Sequence, residues 1–185
     1  MWSNQSPWDF SIYDKATPRC PPSGATPAQL AALAWENQVR HEKIEHGAFF
    51  DAKGVIILAK QGLQSSVGFT LVELQRVNGT LFSHNHPSGH SFSAGDIVLS
   101  SECKLVELRA VSPDWRHFMR FKNGWPSRPA ILWEQKRAEP QAKADVTHEI
   151  RAGRLDPRYG TWEISHRIVA QIAAKFNILY QREPS

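Results

Sequence analysis

Apolar and polar positions repeat along this chain with two different periods, and the switches between them predict the order of its elements. Thr26-Pro27 with Gln29 supplies an N-cap, a proline at the first helical position and a capping-box partner, so a helix is expected from there to about Lys43. Ala31, Trp35 and Val39, with Leu30 and Leu33 beside them, give it an apolar face. Residues 45–58 hold two strand-like runs on either side of Lys53-Gly54, the pattern of a hairpin. Leu71, Leu74 and Val77 stand at helical spacing before Asn78-Gly79 and predict a short helix over 70–77. Gly79-Thr80-Leu81-Phe82-Ser83 then reads as a strand that carries His84 and His86 at its end. Ser93 stands at the N-cap of a helix from Ala94 to about Lys104, and two alternating strands follow, Leu105 to Val111 and Arg116 to Phe121.

From Trp125 onward the pattern is helical. Ser127 caps a charged helix beginning near Arg128, which Pro140 is expected to kink or divide before it resumes to about Ala152. Gly153, Pro157 and Gly160 mark a turn, and Thr161 caps a helix with Ile164, Ile168, Ile172 and Phe176 on one stripe. That stripe reads as core packing against the preceding helix, and His148 and His166 as surface or capping residues. At the other end, residues 1–25 place Trp2, Trp8, Phe10 and Tyr13 in a polar setting before a proline cluster, which predicts an arm and a linker. The aromatic side chains need a surface to dock on, either this chain or a partner domain. The expected division is arm at 1–25, a metal-binding domain at 26–124 and a helical extension at 125–185.

Composition narrows the picture. A chain of 185 residues, 41% hydrophobic with seven tryptophans, can bury a sizeable core. No apolar run reaches spanning length and no leader pattern opens the chain, so neither membrane helix nor signal peptide is expected. Cys20 and Cys103 are far apart and in no CxxC pair, which fits a reducing, cytoplasmic setting and removes a thiolate metal site. Cys103 reads as a buried small apolar residue. The net charge of +4 is scattered and does not indicate nucleic acid as a partner.

The chemistry lies in His84-Asn85-His86-Pro87-Ser88-Gly89-His90, followed by Ser93 and Asp96. Residues two apart on a strand face one side, so the imidazoles of His84 and His86 can converge on one ion. Pro87 and Gly89 end the strand, and the cap at Ser93 brings Asp96, in the first helical turn, back toward them. Two neutral imidazoles and one carboxylate, with a fourth position left for water, form a catalytic zinc set rather than a structural one. Ser93 and Asp96 alone could be a capping box, but a cap does not account for the paired histidines.

At these residues the chain resembles the JAMM (JAB, MPN+) metallopeptidases, whose pattern is a distant Glu, then H-x-H-P, then S-x-x-D. The wording His-Asn-His-Pro-Ser-Gly is similar to RadC-like proteins and to JAB-like domains of phage and polymorphic-toxin proteins; the expected setting is the cytoplasm, or a target cytoplasm in the case of a toxin module. The resemblance covers residues 28 to 123, with nine residues between His86 and Asp96, one fewer than the family's usual spacing. It implies an α/β fold like that of cytidine deaminases, a mixed sheet flanked by helices, here with a C-terminal helical extension. It also implies a Zn²⁺ ion on His84, His86 and Asp96, and hydrolysis of a peptide or isopeptide bond in a protein or peptide substrate. The family's catalytic Glu stands at the start of a strand before a turn, and Glu45 matches that setting better than Glu42, which the helix leaves on an exposed last turn. In this scheme Glu45 is the general base, Ser93 donates to the water or the oxyanion, and His90 and Asn85 are candidates for the substrate groove.

Rival readings are separable. An HNH nuclease is suggested only by the letters His-Asn-His, and its residues are spread over a ββα unit. A zinc nucleobase deaminase would need H-x-E and P-C-x-x-C, which are absent. A RadC-like metal-binding module with a DNA-associated or protein-binding role is the alternative to proteolysis; metal analysis with peptide, isopeptide and DNA substrates separates the two.

Overall fold

The computed structural model describes residues 8–14, 24–122 and 124–185. Trp2 and the proline cluster with Cys20 lie outside the described residues. Helix α1 (Pro27–Val39) opens on the expected capping box, with the Thr26 side chain accepting from the Gln29 amide and Gln29 reaching back to the Thr26 amide. It is followed by β1 (His46–Phe50), β2 (Ile56–Gln61), the single turn α2 (Leu71–Leu74), β3 (Leu81–Asn85) and α3 (Ala94–Glu102). Then come β4 (Glu107–Val111), β5 (Trp115–Arg120), α4 (Arg128–Arg151), α5 (Gly160–Lys175) and β6 (Leu179–Pro184). The strands form one sheet in the order β2-β1-β3-β4-β5-β6. Only β3 and β4 run parallel, joined by α3 as the crossover that a parallel pair requires, so the sheet is mixed.

The sheet's two faces have different chemistry, and the strand register shows why. One row, Phe49-Phe82-Leu108-Met119, is built from directly paired residues of four strands. All four are buried and meet Ile97 of α3, Ile131 of α4 and Val169 and Ile172 of α5. Each such side chain contributes roughly 1.5–3 kcal/mol by leaving water. The next row on that face is Gly47-His84-Ala110-His117. A Cβ at Gly47 would stand 3.0 Å from the Phe82 ring and from Val67, so glycine there lets Phe82 keep the position on which the His84 ring stacks, at 5.1 Å between centroids. The opposite face lies under α1. Its apolar part is small, Ala48, Phe50 and Leu81 against Ala28 and Ala32, and the rest is ionic. Glu36 of α1, fully buried, accepts from Arg109, Arg116 and Ser83 of three neighbouring strands.

Three expectations are corrected. α1 ends at Val39 rather than near Lys43, because Asn85 captures the backbone carbonyls of Glu42 and Ile44 and holds that stretch as a turn. α4 is one continuous helix with Pro140 inside it, so the expected division does not occur; it packs against α5. The last stretch is not only helical: β6 pairs with β5 from Leu179 to Pro184, and residues 125–185 thereby supply the sheet's sixth strand. The described part of the arm docks on this chain. Tyr13 stacks on Tyr159 at 4.2 Å and donates to Glu163 at 2.7 Å, and Trp8 lies over the buried guanidinium of Arg167.

Candidate metal centre

His84 and His86 occupy the end of β3 as an i, i+2 pair, and their Nε2 atoms face each other at 2.8 Å. Two imidazole lone pairs at that distance repel unless a proton or a cation lies between them. Asp96, three residues into the α3 cap, brings Oδ1 to 3.5 Å from His84 Nε2 and Oδ2 to 3.6 Å from His86 Nε2. Donor atoms of these three residues all fall within 4.8 Å of one another, and both histidines are buried. The group can hold a metal ion, and its two nitrogens and one oxygen are a set that divalent transition metals accept.

The cap sets the carboxylate. Ser93 takes the Asp96 amide on its side chain and returns its own amide and hydroxyl to Asp96 Oδ2 at 2.7 and 2.8 Å. The Ser93 hydroxyl hydrogen is thus directed to Asp96, and Ser93 supports that carboxylate. Burial disfavours the Asp96 charge, but His84 beside it and the Ser93 hydrogen bonds outweigh that and hold the carboxyl well below its usual range. Burial and the charge of His84 push His86 down to about 4, so its imidazole is neutral near pH 7, as a ligand must be. His84, although burial opposes it, is raised by Asp96 and Glu45.

Glu45 precedes β1. It stands two residues before Gly47, which pairs with His84, and it lines the same cavity as His86 and Asp96. Its backbone is clamped on both sides, its amide donating to Leu63 O and its carbonyl accepting from Gly62, each at 2.7 Å. Glu45 is buried, and burial pushes its carboxyl up to about 7, with His84 opposing and Asp96 adding to the rise. Glu42 is exposed and lies off the cavity.

Glu45, His86 and Asp96 open onto one cavity of about 970 Å³. His90 lines it, with its ring Nδ1 at 2.9 Å from Ser88 Oγ. Asn85 does not. It is fully buried on the other side of β3, where its amide ties Glu42 O and Ile44 O and its carbonyl accepts from the His46 amide at 2.6 Å, so it positions the turn that carries Glu45. The cavity's far wall comes from helices that carry no site motif in the sequence. Ile164 and Ile168, assigned to packing between helices, line it from α5, and Gln135 and Lys143 reach it from α4. His166, read as a surface or capping residue, is likewise not peripheral: its Nδ1 and that of His117 each lie within 3.0 Å of Tyr180 Oη. Those partners come from β6, an element without periodic signal.

Fold and site together define an α/β protein with a mixed sheet, helices on both faces and a buried His-His-Asp group able to hold a metal ion. Compared with family models, with curated proteins and with solved structures, the chain matches none. Among the described residues no helix is long and apolar enough to cross a membrane.

Proposed function

We propose that this protein is a zinc-dependent hydrolase that cleaves a peptide or isopeptide bond, with His84, His86 and Asp96 holding the metal and Glu45 as general base. Zinc bound there would supply a Lewis acid that lowers the pKa of water from about 15.7 to about 7. The observation that carries the reading is the placing of Glu45: a buried carboxylate outside the His-His-Asp set yet on the same cavity. A carboxylate so placed takes the proton from the attacking water and passes it to the leaving amine, which becomes a good leaving group only when protonated. Asp96 keeps its charge through the Ser93 cap, and His86 stays neutral, so both remain ligands at neutral pH. The likeness of His84-x-His86-Pro87 with Ser93 and Asp96 to the JAMM pattern supports the same reaction class.

The test is a panel of peptide, isopeptide-linked and DNA substrates offered to protein stripped of metal by a chelator and then reloaded with Zn²⁺. Amide cleavage that disappears on stripping and returns on reloading is the expected result. Stoichiometric zinc with no cleavage of any amide would replace the proposal with a metal-containing binding module.

A further inference from the structure

Loop 88–91 joins the end of β3 to the cap of α3, and it is held from outside both. His90 lends its backbone carbonyl to His86: Nδ1 and that oxygen are 3.0 Å apart, and a carbonyl can only accept, so Nδ1 carries the hydrogen and Nε2 presents its lone pair toward Asp96. Where the His90 carbonyl sits therefore decides the tautomer and tilt of the ring. Three side chains from α5 and β6 fix that position. Trp162 donates its indole Nε1–H to Ser88 O at 3.0 Å. Ser165 Oγ accepts the Ser91 amide at 3.0 Å. Tyr180 Oη meets Ser91 Oγ at 2.8 Å and is itself bracketed by His117 and His166. Gly89 lies against the Trp162 ring so closely that a Cβ there would stand 2.8 Å from Nε1.

We infer that Trp162, Ser165 and Tyr180 are positioning residues for the metal centre, holding residues 88–91 so that the His90 carbonyl locks His86 as an Nε2 ligand. The inference rests on the metal reading of the site. It assigns to α5 and β6 a task that the residues of the motif cannot perform themselves: the motif provides the ligands, and the last quarter of the chain aims one of them. Hydrogen bonds of this kind behind a ligating histidine alter metal affinity by roughly 10-fold to 100-fold.

The experiment uses the full chain and the single variants Trp162→Phe, Ser165→Ala and Tyr180→Phe; each deletes one polar group, Ser165→Ala and Tyr180→Phe with little change of bulk, and Trp162→Phe with the indole reduced to a phenyl ring. Zn²⁺ affinity is measured by competition with a chromophoric chelator, ligand geometry by the visible absorption of the Co²⁺ form, and the His86 tautomer by ¹⁵N NMR of the metal-free protein. Expected are a roughly 10-fold or greater loss of Zn²⁺ affinity, a changed Co²⁺ spectrum and a His86 signal averaged between tautomers, with Ser165→Thr restoring all three. Val146→Ala, a buried α4 position outside these hydrogen bonds, is the control for general destabilisation. Wild-type affinity and an unchanged tautomer in all three variants overturn the inference, and so does an affinity loss that Val146→Ala reproduces at equal loss of melting temperature. If the wild type takes up no metal, the proposed function fails, and the inference is then decided by the His86 tautomer alone: Nδ1–H in the wild type and averaged in the variants sustains it, any other pattern refutes it.

Discussion

Glu36→Gln removes a charge from the centre of the α1 face while keeping the shape of the side chain. The Glu36 carboxylate accepts from Arg109 Nε at 2.5 Å and its second guanidinium nitrogen at 3.1 Å, from Arg116 Nε at 3.0 Å and from Ser83 Oγ at 2.9 Å, with no exposure to water. Glutamine offers one acceptor oxygen and turns an NH₂ toward two cations. Arg109 keeps a second carboxylate, Glu107, at 2.9 Å, whereas Arg116 keeps only the neutral Asn37 oxygen, at 2.5 Å. Removing one partner of a buried ion pair costs about 3–5 kcal/mol, and the retained Glu107 contact places this case near about 3. That is a large share of the roughly 5–15 kcal/mol that holds a domain together. With a urea dependence of about 1–3 kcal/mol per molar, the unfolding midpoint should fall by about 1 M or more at unchanged slope. A midpoint shift below about 0.3 M for Glu36→Gln would refute the claim that this network anchors α1.

Two further predictions concern the loop and the buried histidines. Gly89→Ala places a Cβ at φ +78° and against the Trp162 indole, so left-handed strain of about 1–2 kcal/mol adds to a clash that must move the loop; calorimetry should show a lower melting temperature and metal titration a weaker site. Burial and the nearby Arg182 push His166 down to about 3, and burial with His166 and Arg182 holds His117 well below the usual histidine value. Their folded pKa values lie below the unfolded ones, so the unfolded chain binds protons first and stability is lost as pH falls below about 6.5, by up to about 1.4 kcal/mol per pH unit for each residue. Denaturation between pH 7 and pH 5 should show this slope, reduced in His166→Gln; an identical slope in the variant would contradict it.

Much of the site could be read before the structure because its determinants are local. The i, i+2 histidines, the Pro87 stop and the Ser93 cap are spaced by strand and helix geometry, and those spacings persist in any context that keeps β3 and α3. The positive φ of Gly54 and the capping box at Thr26 are of the same kind. What escaped is held across long sequence distances. Glu36 meets residues more than forty positions away, and nothing local marks a helix glutamate as the partner of two strand arginines. β6 ends in Pro184 and mixes Gln181, Arg182 and Glu183 with Tyr180, so it acquires strand character only from β5. The isoleucine stripe of α5 was visible as a stripe, but periodicity says which residues share a face, not whether a helix or a cavity lies opposite.

The measurement that bears most directly on the account is zinc content and amide hydrolysis in Glu45→Gln beside the wild type. The account predicts about one zinc per chain in both proteins, because Glu45 lies outside the ligand set, with hydrolysis lowered by roughly 10²-fold to 10⁴-fold in the variant, because the base is gone. Full activity in Glu45→Gln, or loss of its zinc, would contradict the assignment of Glu45 as the base of a metal hydrolase.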